Sequence, residues 1–356
     1  MKILKVFTIL ILILFLSKGI TEADFTFGEP VNLGPMVNSQ SGEYSATYST
    51  DGLEIFFTSN RSHPGVVTME YFDIYVTKRA HADAPWSPAV NLGPVVNSTL
   101  ADEHPFLTSD GLTLYFGSYR SEIWFSDLWM TTRASKDDDW GPPVNLGFPV
   151  NSQGDTDEDP SLTSDGLELY FASDRTGPNW QYNLWVTKRE SINDPWSQPV
   201  NLGPTVNGGY SNDSPAISSD GLVLIFNRGH TLWITKRASR TGNWCQPEKL
   251  ESTVNFMNVN LNPDISPDGR WLLWSSANYY TEVDMYDVWQ APILPVVDFN
   301  GDGIVDATDV CIIVDNWGTD NSLCDIGPMP WGDGVVDVQD LIVLAEHLFE
   351  ETSVAE

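Results

Sequence analysis

Basic residues are scarce in this chain. Lysine and arginine together number 18 in 356 residues, against 49 aspartates and glutamates, for a formal net charge of -31. Such a polyanion is repelled by phosphate backbones, so nucleic acid is excluded as a partner. Cysteine is almost as rare. The three present (Cys245, Cys311 and Cys324) do not make a disulfide framework. Cys311 and Cys324 share the C-terminal segment and are expected to pair in an oxidising compartment, with Cys245 left alone and buried. No glycine-rich phosphate loop, no Ser-His-Asp order and no Cys/His zinc spacing occurs. Beyond the N-terminus no apolar run is long enough to span a bilayer.

Large apolar anchors are plentiful, with Trp 14, Tyr 12 and Phe 16. They promise a sizeable core in spite of the acidity and argue against disorder. At the N-terminus, Lys2 and Lys5 precede an apolar run from Val6 to Leu16, and Thr21 and Ala23 stand at −3 and −1 of a cleavage site. The run is too short for a membrane span and reads as a secretory signal peptide over residues 1–23, removed to leave a mature start at Asp24.

The main signal is repetition. A short motif recurs as STDGLEIFF, TSDGLTLYF, TSDGLELYF, SSDGLVLIF and SPDGRWLLW, with its aspartate at Asp51, Asp110, Asp165, Asp220 and Asp268. Asp-Gly between apolar runs marks a tight hairpin turn. The run that follows alternates, Leu167, Leu169 and Phe171 against Glu168 and Tyr170, which is strand periodicity. A second run (FDIYVTKR, SDLWMTTR, YNLWVTKR, HTLWITKR, YDVWQAP) and a third (WSPAVNLG, WGPPVNLG, WSQPVNLG, WCQPEKLE) follow in order. Four strands per unit describe a propeller blade. The fifth unit lacks its closing strand, and the N-terminal FGEPVNLG has no blade ahead of it. Residues 29–34 are therefore expected to complete the fifth blade beside Trp289 and remove the open edge.

The repeats SDGLELYFASDR…NLWVTKR and SPDGRWLLWSS…YDVWQAP resemble the WD40-like repeats of TolB-type β-propellers. That resemblance implies an all-β, five-bladed propeller of four-stranded antiparallel blades over residues 24–292, followed by a short linker at 293–296. It implies a fold and no single function.

The C-terminal stretch DFNGDGIVDATD carries oxygens at loop positions 1, 3, 5, 9 and 12 (Asp298, Asn300, Asp302, Asp306, Asp309). Gly303 stands at the sharp turn, and Ile304 offers a backbone carbonyl. This is the spacing of a calcium loop, hard oxygen donors wrapped round one cation, with Asp in place of the usual Glu at position 12. A second copy, GDGVVDVQDLIVLAEHLFEE, repeats the pattern less completely: Met329 and Trp331 fall at the places of Asp298 and Asn300. A weaker second site is expected from Asp333, Asp337 and Asp340, with Asp325 joining only if the loop is enlarged. The duplicated loop and helix of residues 297–350 resembles a type I dockerin, leaving a tail at 351–356. That resemblance implies a small α-helical calcium-binding domain, a cohesin partner, and membership of an extracellular polysaccharide-degrading system. The dockerin positions that usually carry a recognition pair hold Ala307 with Thr308 and Val338 with Gln339. Calcium is the one cofactor expected, and it is expected to fold this module cooperatively.

On the propeller, Pro105, Pro160, Pro215 and Pro263, with Ala46 in the first blade, each stand five residues before the hairpin aspartate. Ahead of them Glu43, Glu103, His104, Glu158, Asp159, Asp213 and Asn262 are expected to converge on one rim. Carboxylates so placed bind a cation, act as acid and base on a glycosidic bond (candidates Glu103, Glu158 and Asp159), or merely solvate the loops. Trp86, Trp140, Trp196 and Trp244, and Trp129, Trp185, Trp233 and Trp289, recur with the repeat and read as packing. Trp124, Trp180, Tyr279 and Tyr280 do not recur and are candidates for stacking on sugar rings. Three functions remain open: a secreted, non-catalytic component binding glycan or protein; a glycoside hydrolase or polysaccharide lyase at the acidic rim; and a protein-interaction platform.

Overall fold

A computed structural model describes residues 25–61, 72–176, 181–277, 286–300, 303–319, 324–327 and 335–350. The signal-peptide reading of residues 1–23 lies outside them. Among the described residues no helix is long and apolar enough to cross a membrane. The chain divides into two compact units, one of residues 27–294 and one that includes residues 295–356.

The larger unit is a five-bladed propeller. Each blade is an antiparallel sheet, and in the first four the strands follow chain order from the axis outward. Blade 1 comprises Glu43–Tyr48, Glu54–Ser59, Asp73–Lys78 and Val90–Asn91, and blade 2 Asp102–Leu107, Thr113–Glu122, Phe125–Thr132 and Val144–Asn145. Blade 3 runs from Asp157–Leu162 through Glu168–Ser173 and Asn183–Lys188 to Val200–Asn201. Blade 4 runs from Asn212–Ile217 through Val223–Arg228 and Thr231–Lys236 to Glu248–Lys249. Blade 5 has Val259–Ile265, Trp271–Ala277 and Asp287–Pro295. Its fourth strand is Val31–Asn32, with Asn32 opposite Trp289 and Val31 opposite Gln290. The borrowed strand also reproduces a blade-specific contact: Asn32 Nδ2 donates to Asp287 at 2.9 Å, as Asn91 does to Asp73 at 2.7 Å and Asn145 to Asp127 at 2.8 Å. The innermost strand of each blade touches the next, and that of the fifth touches that of the first, so the ring is closed. The last strand runs to Pro295, so residues 293–295, read from sequence as a linker, continue it.

Local chemistry explains the repeat. At each Asp-Gly turn the aspartate accepts the amide two residues on (Asp51 from Leu53 at 3.1 Å, Asp220 from Leu222 at 2.8 Å), and the glycine holds positive φ. The strand that follows is buried throughout in blades 1 and 3, as EIFFTS and ELYFAS. Blade-to-blade cores interleave these strands; Phe56, Leu114 and Phe116 pack in one cluster and Tyr170, Leu224 and Phe226 in another. The arginine of each Thr-Lys-Arg or Thr-Thr-Arg run lies over the tryptophan of the same blade, Arg79 on Trp86 at 4.4 Å, Arg133 on Trp140 at 4.6 Å, Arg189 on Trp196 at 4.2 Å and Arg237 on Trp244 at 4.6 Å. These tryptophans are packing residues.

The smaller unit holds two nine-residue helices, Ala307–Asp315 and Val338–Glu346. Asp306 and Asp337 cap them, each in a reciprocal capping box with Asp309 or Asp340. Val305, Ile313, Ile326, Val336, Val343 and Leu344 form the core between them. Among the described residues no disulfide closes this unit: Cys311 is exposed and Cys324 buried. The expected pairing is therefore absent, because one thiol faces solvent on a helix while the other belongs to the core. Cys245, expected to be buried, is exposed.

Candidate functional site

The innermost strand of every blade carries a bulge at the same place, between Tyr44 and Thr47, Glu103 and Phe106, Glu158 and Ser161, Asp213 and Ala216, and Leu261 and Asp264. The bulged residue has positive φ in all five: Ser45 50°, His104 57°, Asp159 56°, Ser214 49° and Asn262 49°. Side-chain-bearing residues rarely adopt this conformation, and a bulge re-aims the side chain it carries. The five side chains meet on the axis. Ser45 Oγ and Asp159 Oδ1 each lie 2.7 Å from His104 Nδ1. Asp159 Oδ2 accepts from the Ser214 amide at 3.0 Å, and Asn262 Nδ2 donates to Ser214 Oγ at 2.9 Å.

The residue before each bulge builds a wall outside this ring. Tyr44 donates to Glu103 Oε1 at 2.8 Å, and Asn227 Nδ2 donates to Asp213 at 2.5 Å. Wall and ring enclose a cavity of about 300 Å³ lined by Tyr44, Phe72, His104, Glu158, Asp159, Asp213, Ser214, Leu261, Asn262 and Tyr286. Tyr44 is its aromatic hub, with ring centroids 4.9 Å from Phe72 and 6.4 Å from Tyr286. Directly across the ring lies a smaller cavity of about 30 Å³, which shares His104, Asp159, Ser214 and Asn262 and adds Asp264.

Burial and mutual repulsion set the charge states. Burial, then the Asp159 charge, pushes Glu158 up to about 8. The same two causes push Asp213 up to about 7, and burial raises Glu103. Burial alone opposes charge on His104, yet the Asp159 carboxylate, by charge and hydrogen bond, carries it up to about 10. At neutral pH the site therefore holds an imidazolium at His104, 2.7 Å from Asp159, beside a protonated Glu158.

Six residues expected at one rim, Glu103, His104, Glu158, Asp159, Asp213 and Asn262, come together here. Glu43 does not. It is fully buried against Ser39, Ser59 and Arg61. Its counterparts are Asp102 and Asp157, which face Arg120 and Arg175 in the same way. That set ties the first strand of each blade to the end of its second and lines neither axial cavity. Trp124 stands at the tip of the hairpin between the second and third strands of blade 2, 77% exposed and apart from the cavity lining. Trp180, Tyr279 and Tyr280 lie outside the described residues. Sequence reasoning missed Tyr44, Ser45, Phe72, Ser214 and Tyr286. Ser45 and Ser214 were discoverable as the residues directly before Ala46 and Pro215.

In the smaller unit, both oxygens of Asp309 gather loop amides: Oδ1 accepts from Phe299 at 2.8 Å and Asn300 at 3.3 Å, and Oδ2 from Asp306 at 2.8 Å. Asp340 repeats this with Ile326 at 2.6 Å, Gly327 at 2.7 Å and Asp337 at 2.6 Å. The repetition aligns Asp325 with Asp298 and Gly327 with Asn300, so the second loop is enlarged and Met329 and Trp331 are not the counterparts. Asp302 and Asp333 lie outside the described residues. Among the described residues no three His, Cys, Asp or Glu side chains gather closely enough to hold a metal ion.

No protein-family model matches the sequence, and no curated protein matches it. Solved structures do. A thermostable family-43 glycoside hydrolase is similar at a TM-score of 0.51 and 12% identity, over 75% of this chain and 94% of that one. A putative TolB from Agrobacterium tumefaciens is similar at 0.45 and 13%, over 72% and 80%. An α-L-arabinanase of Penicillium chrysogenum is similar at 0.44 and 14%, over 76% and 98%. At these identities the likeness is one of fold: a β-propeller.

Proposed function

We propose that this is an exported glycan-handling protein whose propeller binds a sugar unit in the axial cavity and whose C-terminal module attaches it to a partner. The observation that carries the reading is the cavity itself: about 300 Å³, with the rings of Tyr44, Phe72 and Tyr286 beside the carboxyls of Glu158, Asp159 and Asp213. Rings supply flat apolar area for a sugar face, and carboxyls accept its hydroxyls. The size suits about one sugar ring, so a chain end is the expected ligand.

One observation favours a second reading, hydrolysis. Glu158 keeps its proton at neutral pH while its neighbour Asp159 lies 2.7 Å from His104, which places an acid and a second carboxyl within one pocket. In that reading Glu158 protonates the leaving oxygen and Asp159 faces the developing positive charge.

For the smaller unit the donor chemistry fits calcium: Asp298, Asn300, the Ile304 carbonyl, Asp306 and Asp309 are hard oxygens around the positive-φ Gly303, with Asp302 completing the spacing. Asp325, Asp333, Asp337 and Asp340 form the weaker second set. Calcium would neutralise the loop carboxylates and hold the loops against the two helices. A cohesin-type domain is the partner this module would take.

The test is retention of the mature chain on a panel of polysaccharides, with mass spectrometry of the supernatant. Retention lost in Tyr44→Ala supports the binding reading. Released oligosaccharides that disappear in Glu158→Gln make it a hydrolase. No retention and no products on any glycan refute both.

A further inference from the structure

Away from its axis the propeller neutralises its buried acids. Glu54 meets Arg133 at 2.6 Å and Lys78 at 2.6 Å; Glu168 meets Arg237 at 2.7 Å and Lys188 at 2.6 Å. Glu43, Asp102 and Asp157 each face an arginine. Asp174, also buried, takes the Thr156 amide at 2.8 Å. On the axis the pattern changes. Glu158, Asp159 and Asp213 line one cavity, with Glu103 behind them on Tyr44, and among the described residues neither axial cavity has lysine or arginine in its lining. The single cation, His104, is engaged by Asp159 at 2.7 Å and stands 3.7 Å from Glu103.

Two further observations point the same way. The rings of Tyr44, Phe72 and Tyr286 line the same cavity, and a cation seated on the face of any of them is attracted by its quadrupole. Across the ring, Asp264 is 9% exposed and lines the smaller cavity, and its Oδ2 has no hydrogen-bond partner among the described residues. A buried carboxylate oxygen left so costs free energy that an incoming donor recovers.

We propose that the axial cavity selects a sugar unit bearing a free, protonated amino group, a 2-amino-2-deoxyhexose, over neutral and N-acylated sugars. The proposal rests on the glycan-binding reading above and narrows it. An ammonium group donates three hydrogen bonds, draws off the protons that burial leaves on Glu158 and Asp213 and pairs with the carboxylates so formed, and is attracted by the aromatic wall. A hydroxyl in its place brings no charge. An N-acyl group removes the charge and two of the three donors, and adds volume to a pocket of limited size.

The experiment is calorimetric titration of the full mature chain, in a buffer near neutral pH, with four probes: the β-1,4 tetramer of glucosamine, its fully N-acetylated counterpart, cellotetraose and n-hexylamine. The expected result is glucosamine tetramer binding about tenfold or more tighter than either other tetramer, since charge-assisted bonds and ring contacts are each worth about 1 kcal/mol or more. Glu158→Gln combined with Asp213→Asn should shrink that ratio to about threefold or less. Equal or tighter binding of the acetylated tetramer or cellotetraose overturns the selection by charge and leaves the glycan reading standing. Binding of hexylamine with no binding of any tetramer overturns the glycan reading and this proposal with it. Silence from all four probes does the same.

Discussion

Replacing Glu158 by glutamine should make the protein more resistant to alkaline unfolding. Burial raises the Glu158 carboxyl from an ordinary 4.5 to about 8. Between those values the folded chain holds a proton that the unfolded chain has released, so stability falls as pH rises through the interval, and the loss is complete above about 8. At about 1.4 kcal/mol per tenfold change in proton affinity, the full interval corresponds to about 5 kcal/mol. Glu158 lines an open cavity and keeps partial solvent contact, so screening reduces this to about 2 kcal/mol. At about 2–4 °C per kcal/mol for a domain of this size, Glu158→Gln should gain on the wild type by about 4–8 °C between pH 5 and pH 9. Asp213 and Asp264 titrate in both proteins and cancel in the difference. The assay is scanning calorimetry of the two proteins at five pH values, with ionic strength and calcium fixed. A melting-temperature difference that stays flat, or narrows as pH rises, refutes the assignment of the raised carboxyl to Glu158.

Two further substitutions separate kinds of packing. Arg133→Ala leaves Glu54, which is only 6% exposed, with Lys78 as its remaining cation, and should destabilise the propeller by about 3 kcal/mol. Arg79→Ala loses a stack on Trp86 and a bond to the Gly52 carbonyl, worth about 1–2 kcal/mol, and denaturant titrations of equal loss for the two would show the Glu54 pair to be idle. In the smaller unit, a Cβ at Gly327 would lie 2.5 Å from the backbone of Gln339, at the start of the second helix. Gly327→Ala should therefore cost about 1–3 kcal/mol locally, seen as hydrogen exchange about ten- to hundredfold faster over residues 338–346 with propeller amides unchanged.

The blade count and the closing strand were legible because both rest on repetition: five Asp-Gly turns, and a Val-Asn-Leu-Gly that has no blade of its own at the N-terminus. The axial site was half legible. Pro105, Pro160, Pro215 and Pro263 gave the register, and the acids beside them announced Glu103, Glu158, Asp159 and Asp213. Blade 1 misled, since its one acid, Glu43, stands at the arginine-facing position two residues before the bulge, while the positions that matter carry Tyr44 and Ser45. The aromatic wall was hidden for a different reason. Phe72 and Tyr286 precede the third strands of blades 1 and 5, distant in sequence from every axial acid; the sheet of blade 1 brings Phe72 to Tyr44, and ring closure brings Tyr286. In the second loop of the smaller unit, four extra residues before the shared Asp-Gly disguised Asp325 as an outsider, and the amide pattern at Asp340 restores it.

The positive-φ bulges have a consequence for how such a site diversifies. Each blade offers the axis one inner and one outer position, read here as Ser, His, Asp, Ser, Asn within Tyr, Glu, Glu, Asp, Leu. The inner five are restricted to side chains that tolerate the left-handed backbone, and small polar residues tolerate it best. The outer five carry no such limit. Ten independently replaceable letters, five from a short alphabet and five from a long one, let the same scaffold hold very different occupants without moving a strand.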